Sequence, residues 1–179
     1  MSKTSLLELE PFDKASGDVV TIIETPQGSR NKFKYDPELR LFRLHKALPI
    51  GAVFPFDFGF IPSTQAEDGD PTDMLLLMCE PAYPGCIVLT RLIGVIEAEQ
   101  TEEGKTVRND RLMGAASLYK DYDKVHDLQD LGEGLLSQIE HFFISYNEMQ
   151  DRQFKPIGRA GSEKAMTLVK EGIRSFKAR

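Results

Sequence analysis

The sequence predicts an α+β domain in which a barrel-like sheet of short strands is followed by two helices. Three observations predict it. Through the first two thirds, β-branched and aromatic residues recur in short runs, several at period two. Pro and Gly punctuate those runs. The last third changes to helical spacing.

The first strand covers residues 18–25, where Val19, Val20, Ile22 and Ile23 are β-branched and Pro26-Gln27-Gly28-Ser29 turns the chain. Glu24 stands near its end and, taken alone, reads as a surface residue. Residues 30–36 alternate, with Lys32 and Lys34 on one face and Phe33 and Tyr35 on the other. Residues 39–45 form another short strand after the Asp36-Pro37 turn. Two lysines on one strand face are an ordinary solvated face unless that face looks toward an acidic partner. In residues 51–62, Phe54, Phe56, Phe58 and Phe60 fall at period two, so an extended segment packs all four as one hydrophobic wall. Residues 73–80 and 86–97 are rich in Leu, Ile and Val and read as long paired strands, separated by Pro81 and Pro84-Gly85. Residues 100–105 form a polar hairpin tip with Gly104, and residues 106–113 return, carrying Arg108, Asn109, Asp110 and Arg111.

The helical third begins at Asp130-Leu131-Gly132-Glu133, which has the form of a capping box. Leu135, Leu136, Ile139, Phe142, Phe143, Tyr146 and Met149 then make one apolar stripe. Ser162 is placed to cap a last helix that buries Ala165, Met166, Val169, Ile173 and Phe176.

A chain of 179 residues supports a single domain over 1–179 with a core that needs no staples. The net charge of −6 leaves no electrostatic footprint for a nucleic-acid backbone, so an oligonucleotide partner is not expected. The longest apolar run, Met74 to Cys79, is too short to span a bilayer, and the N-terminus shows no signal segment. Cys79 and Cys86 form no zinc pattern and read as reduced core residues of a cytoplasmic protein. His45, His126 and His141 are scattered and read as structural.

The stretch with chemistry in it is Glu67-Asp68-Gly69-Asp70-Pro71-Thr72-Asp73, which runs straight into an apolar strand. Gly and Pro make it a tight turn. Asp68, Asp70 and Asp73 repel one another unless a positive charge lies between them. A hard divalent cation with oxygen ligands is the usual answer, and Asp73 then stands on a rigid element. On composition alone, a solvated acidic turn explains the same residues equally well. It is not an EF-hand loop, because the sixth and twelfth positions counted from Asp68 hold Asp73 and Cys79 rather than Gly and Glu.

The turn resembles the signature of family I soluble inorganic pyrophosphatases, and an ordered series of similar landmarks surrounds it. These are Ile22-Ile23-Glu24-Thr25-Pro26, Asn31-Lys32-Phe33, Phe54-Pro55, Phe58-Gly59-Phe60-Ile61, Tyr83-Pro84-Gly85-Cys86, Gly94-Val95, Gln138 to Phe143, and Tyr146. The resemblance implies an OB-like five-stranded β-barrel with flanking strands and C-terminal helices. It also implies a homo-oligomer, commonly a hexamer in bacteria, and Mg²⁺-dependent hydrolysis of pyrophosphate to two phosphates. In such an enzyme catalysis is mostly positioning and charge neutralisation, with metal ions lowering the pKa of the attacking water. By resemblance Asp68, Asp73 and Glu24 belong to the metal network, and Asp70 assists deprotonation of the water. Lys32, Lys46, Arg111 and Tyr146 hold phosphate; Lys46 stands where the family usually has Arg, and Arg111 where it usually has Lys, which changes the donor geometry.

The departures are as informative. Lys34 stands where the family usually carries Glu, Phe58 replaces Tyr, and Asn147 replaces a phosphate-binding Lys. Aligned through Arg111-Leu112-Met113, two further metal-binding aspartates fall near Gln100 and on Asn109. Glu99 and Asp110 lie one residue away, an offset that turns a strand side chain to the other face. A local bulge would return Asp110 to the site, which makes it the expected replacement ligand. The substitutions also sustain two other readings: a degenerate paralogue that binds phosphate with little turnover, and an enzyme for a larger phosphoanhydride.

Overall fold

The strands are β1 (Val19–Thr25), β2 (Asn31–Asp36), β3 (Leu41–Ala47), β4 (Asp57–Phe60), β5 (Asp73–Leu77), β6 (Ile87–Glu102), β7 (Lys105–Arg108), β8 (Arg111–Ala116) and β9 (Gln153–Gly161). The helices are α1 (Glu133–Glu148) and α2 (Ser162–Lys177). This computed structural model describes residues 5–178; the reading of the extreme N-terminus as free of a signal segment falls partly outside that span.

Five strands close on one another. β1 pairs antiparallel with β4, β4 with β5, β5 runs parallel to β8, β8 pairs antiparallel with β6, and β6 returns to β1. Every residue of β1, β4 and β8 is buried, because their outer faces are covered as well as their inner ones. β7 and β9 extend the sheet from the long strand β6, and β2–β3 form a separate two-stranded sheet. This is the α+β barrel with flanking strands that the sequence predicts. No helix among the described residues is long and apolar enough to cross a membrane.

Two layers fill the space around the ring. Leu136, Ile139, Phe143 and Tyr146 of α1 pack with Phe54, Phe58, Leu75, Met113 and Phe154. Ala165 and Val169 of α2 pack with Ile61, Met74, Val95 and Leu112. Each fully buried Leu or Ile in these layers is worth about 1.5–3 kcal/mol relative to leaving it exposed.

Several local expectations are corrected. Of the expected strand at 73–80 only 73–77 is formed, the one at 86–97 runs instead from Ile87 to Glu102, and the two are not partners, since β8 lies between β5 and β6. The four phenylalanines do not form one wall, since Phe54, Phe56 and Phe58 join the α1 layer while Phe60 packs with Tyr35 and Ile22. The regular strand starts only at Asp57, so the period-two pattern does not extend through Pro55. Asp130 does not cap α1. It completes a capping box with Asp127 on the 3₁₀ turn Leu128–Leu131, and α1 starts after Gly132 without a side-chain cap. Ser162 is the first residue of α2, not its cap. Cys79 is exposed rather than core, although both cysteines are free. The strand β9, between the helices, was not anticipated: it pairs with β6 alone, and that edge position tolerates Pro156.

Candidate active site

The acidic turn takes its shape from local bonds. Asp70 N–H donates to Asp68 Oδ1 at 3.0 Å, and Ala66 N–H donates to the Asp70 carbonyl at 2.8 Å. Gly69 sits at φ 89°, a conformation that costs glycine little. Asp73 is the first residue of β5, paired with Phe60, so one carboxylate stands on the barrel itself.

The turn faces a cavity of about 240 Å³. Glu24, Lys32, Lys34, Lys46, Arg111 and Tyr146 reach it from β1, β2, β3, β8 and α1, together with Asp68, Asp70 and Asp73. The lysine face of β2 does look toward the carboxylates. Of the expected site residues, only Asp110 is elsewhere.

Glu24 ties the β2–β3 sheet to the barrel. Its Oε1 accepts the Tyr35 N–H at 2.9 Å, and it is buried. Burial pushes its carboxyl up to about 7, against the Tyr35 hydrogen bond and the Lys32 charge that favour the anion. Burial and the Asp73 carboxylate also raise Asp68, because the second charge in the turn disfavours the first.

The cations are held differently from one another. The Lys32 ammonium lies 5.0 Å from the Phe58 ring centre and 5.5 Å from that of Tyr146. Replacing a tyrosine by Phe58 therefore keeps a ring face for this lysine. Lys46 donates to Gln150 Oε1. Arg111 is buried, its guanidinium stacked near Phe58, Phe143 and Phe154, and it donates to Asp73 and Asn109. Lys34 donates to Asp70 Oδ2 at 2.8 Å.

Asp110 is corrected. Asn109 and Arg111 point into the cavity, so the residue between them points out, as period two requires. Asp110 instead bonds the Ala98 N–H and pairs with Arg108 at 2.9 Å, lining a groove beside α2. No bulge returns it. On the cavity side, Asn109 Nδ2 donates to Gln100 Oε1 at 2.9 Å, and Asn109 Oδ1 accepts from Arg111.

His45, which the sequence did not place near the acidic turn, also lines the cavity. The β2–β3 register runs Lys32↔Lys46 and then Phe33↔Leu44, so His45 is the extra residue of a bulge. The bulge re-aims the strand so that consecutive residues His45 and Lys46 both reach the cavity. Burial, then Lys46, Lys32 and Lys34, hold its imidazole below the ordinary range. Glu102, Gln150 and Arg152 complete the rim and carry no spacing signal that would have found them.

The donor chemistry tests which ions fit. Asp68 and Asp73 are hard oxygen donors with a repulsion that one divalent cation relieves. Gln100 and Asn109 are neutral and already bonded to each other, and Lys34 covers Asp70, so a second cation has no matching carboxylate pair. Among the described residues, no three or more His, Cys, Asp or Glu side chains are grouped to hold a metal ion.

A small closed barrel whose cleft sets carboxylates against lysines and an arginine is an arrangement suited to a polyanionic, phosphate-bearing ligand. Residues 21–177 match the family model described as inorganic pyrophosphatase. An inorganic pyrophosphatase of Thermus thermophilus is 38% identical over 151 residues, covering 84% of this chain and 84% of that protein. One from Synechocystis is 30% identical over 167 residues, covering 93% of this chain and 96% of that protein. The crystal structure of the Thermus thermophilus inorganic pyrophosphatase superposes with a TM-score of 0.88 at 35% identity, covering 97% of this chain and 99% of that one. The chain belongs to the inorganic pyrophosphatase family.

Proposed function

We propose that this chain hydrolyses inorganic pyrophosphate to two phosphates with the help of Mg²⁺. The observation that carries the reading is the convergence of the acidic turn with Lys32, Lys46 and Arg111 in one small cavity. Asp68 and Asp73 would hold the cation, with Glu24 lining the same cavity; a cation there would neutralise charge on the substrate and make a bound water more acidic. Lys32, Lys46, Arg111 and Tyr146 grip the phosphates. Asp70 is the carboxylate placed to take the proton from the attacking water, and Lys34 must release it first. We read residues 1–179 as one domain, acting in the cytoplasm as a homo-oligomer.

Phosphate release from pyrophosphate, at saturating Mg²⁺, tests this directly. Turnover that Asp70→Asn lowers about a hundredfold or more supports it, a loss in the range typical of a general base. No turnover, or turnover that the variant shares, overturns it. The amide pair Gln100–Asn109 and the Lys34–Asp70 ion pair favour one other reading, a phosphate binder with little catalysis. A parallel series of nucleoside triphosphates and polyphosphates separates that outcome from altered specificity.

A further inference from the structure

The charged side chains lining the cavity cancel. Its carboxylates are Glu24, Asp68, Asp70, Asp73 and Glu102, and its cations are Lys32, Lys34, Lys46, Arg111 and Arg152. A cleft that gathers several divalent ions keeps carboxylates in excess; this one has none to spare. Two of the five cations sit directly on carboxylates of the acidic turn. Lys34 is 2.8 Å from Asp70, and the Arg111 guanidinium bridges Asp73 and Asn109.

From this arrangement we infer that Lys34 carries the positive charge that a second divalent cation would otherwise supply, so the cleft takes one ion per chain. The inference rests on the proposed pyrophosphate site and deepens it. Arg111 adds no charge beyond the Lys expected at its position; its place near Phe58, Phe143 and Phe154 only holds that charge beside Asp73. Lys34 is suited to the role because it is partly exposed, on a flexible stem, and can move from Asp70 to a phosphate oxygen when substrate enters. Gln100 and Asn109, hydrogen-bonded to each other, put neutral amides where a second ion would need carboxylates. The Lys34 ammonium is part of the chain, so this charge does not depend on the supply of metal.

The test counts ions rather than turnover. Metal-free protein is titrated with Mn²⁺, followed by electron paramagnetic resonance, with methylene bisphosphonate present as a non-hydrolysable probe. One ion per chain is expected; none, or two or more, overturns the inference. The variant Lys34→Glu/Gln100→Asp/Asn109→Asp should take up one ion more, and an unchanged count would show that these three residues do not exclude it. Should that variant fold poorly, Lys34→Gln alone should weaken bisphosphonate binding about tenfold, as the loss of a charge-assisted hydrogen bond does, with the ion count unchanged. An unchanged affinity would remove Lys34 from the assignment. Hydrolysis with two ions bound would refute this inference and keep the proposed function; one ion without hydrolysis would do the reverse.

Discussion

Lys34 and Asp70, 36 residues apart in sequence, meet as an ion pair at 2.8 Å across the mouth of the cavity. Both side chains are about half exposed, at 43% and 56%. Water screens such a pair, so its share of stability is at most about 1 kcal/mol. Lys34→Met should therefore leave the urea midpoint almost unmoved while raising KM for pyrophosphate. A large loss of stability with KM unchanged would mean the pair braces the fold instead of meeting the substrate.

Arg111 is the opposite case. It is buried, stacked near three aromatic rings, and bonded to Asp73 and Asn109. Arg111→Lys keeps the charge but loses the planar stack and the fork of donors. Breaking a buried ion pair costs several kcal/mol, and a retained ammonium recovers part of it, so a loss of about 2–3 kcal/mol is expected. Urea unfolding with an unchanged m-value measures it; a change under 0.5 kcal/mol, an order-of-magnitude threshold for surface substitutions, would contradict the packing account.

Glu24 predicts a pH dependence. Its folded carboxyl is pushed up to about 7 from an ordinary value of 4.5. Below the ordinary value both states hold the proton and nothing is gained or lost. Between the two values the folded state keeps a proton that the unfolded state releases, so stability falls as pH rises. Above about 7 the full penalty applies, about 3 kcal/mol at 1.36 kcal/mol per pKa unit. In metal-free buffer, Glu24→Gln should be more stable than the parent at pH 8 by up to that amount, and equal to it near pH 4. Parallel stability curves would show that the carboxyl is not raised.

Gly59 tests the seam that places the acidic turn. A Cβ there would lie 2.0 Å from the Ile22 carbonyl oxygen, a backbone atom that cannot step aside. Gly59 sits on β4, between β1 and β5, so the clash would open the ring beside Asp73. Gly59→Ala should destabilise by on the order of 4 kcal/mol or more. Thermal unfolding of purified protein reads it; a soluble variant melting within about 2 °C of the parent, no more than ~1 kcal/mol moves a domain of this size, would refute the contact.

Much of the cleft was legible in the chain. The turn Asp68–Asp73, the lysine face of β2 and the helical stripe that carries Tyr146 follow from spacing alone, and the family resemblance assigned them to one site. Spacing identifies which residues of one element share a face. It does not say what that face meets.

That second question was settled by tertiary structure. The alternation of Asn109, Asp110 and Arg111 could be written from the sequence, but only the pairing of β8 decided that Asn109 faces the cavity and Asp110 faces Arg108. His45 entered the site through a bulge in the β2–β3 register that no periodicity announces. The parallel contact of β5 with β8 separates two strands that looked like partners. The physical reason is common to all three. Side-chain direction along a strand is a local consequence of the pleat, whereas register, bulges and strand order are set by which buried faces fit together over long distances in the chain. The sequence by itself therefore determined the carboxylates, the cations and the elements that carry them, and the tertiary structure determined that Lys34 meets Asp70 and Arg111 meets Asp73, while Lys32 meets two rings and Lys46 an amide.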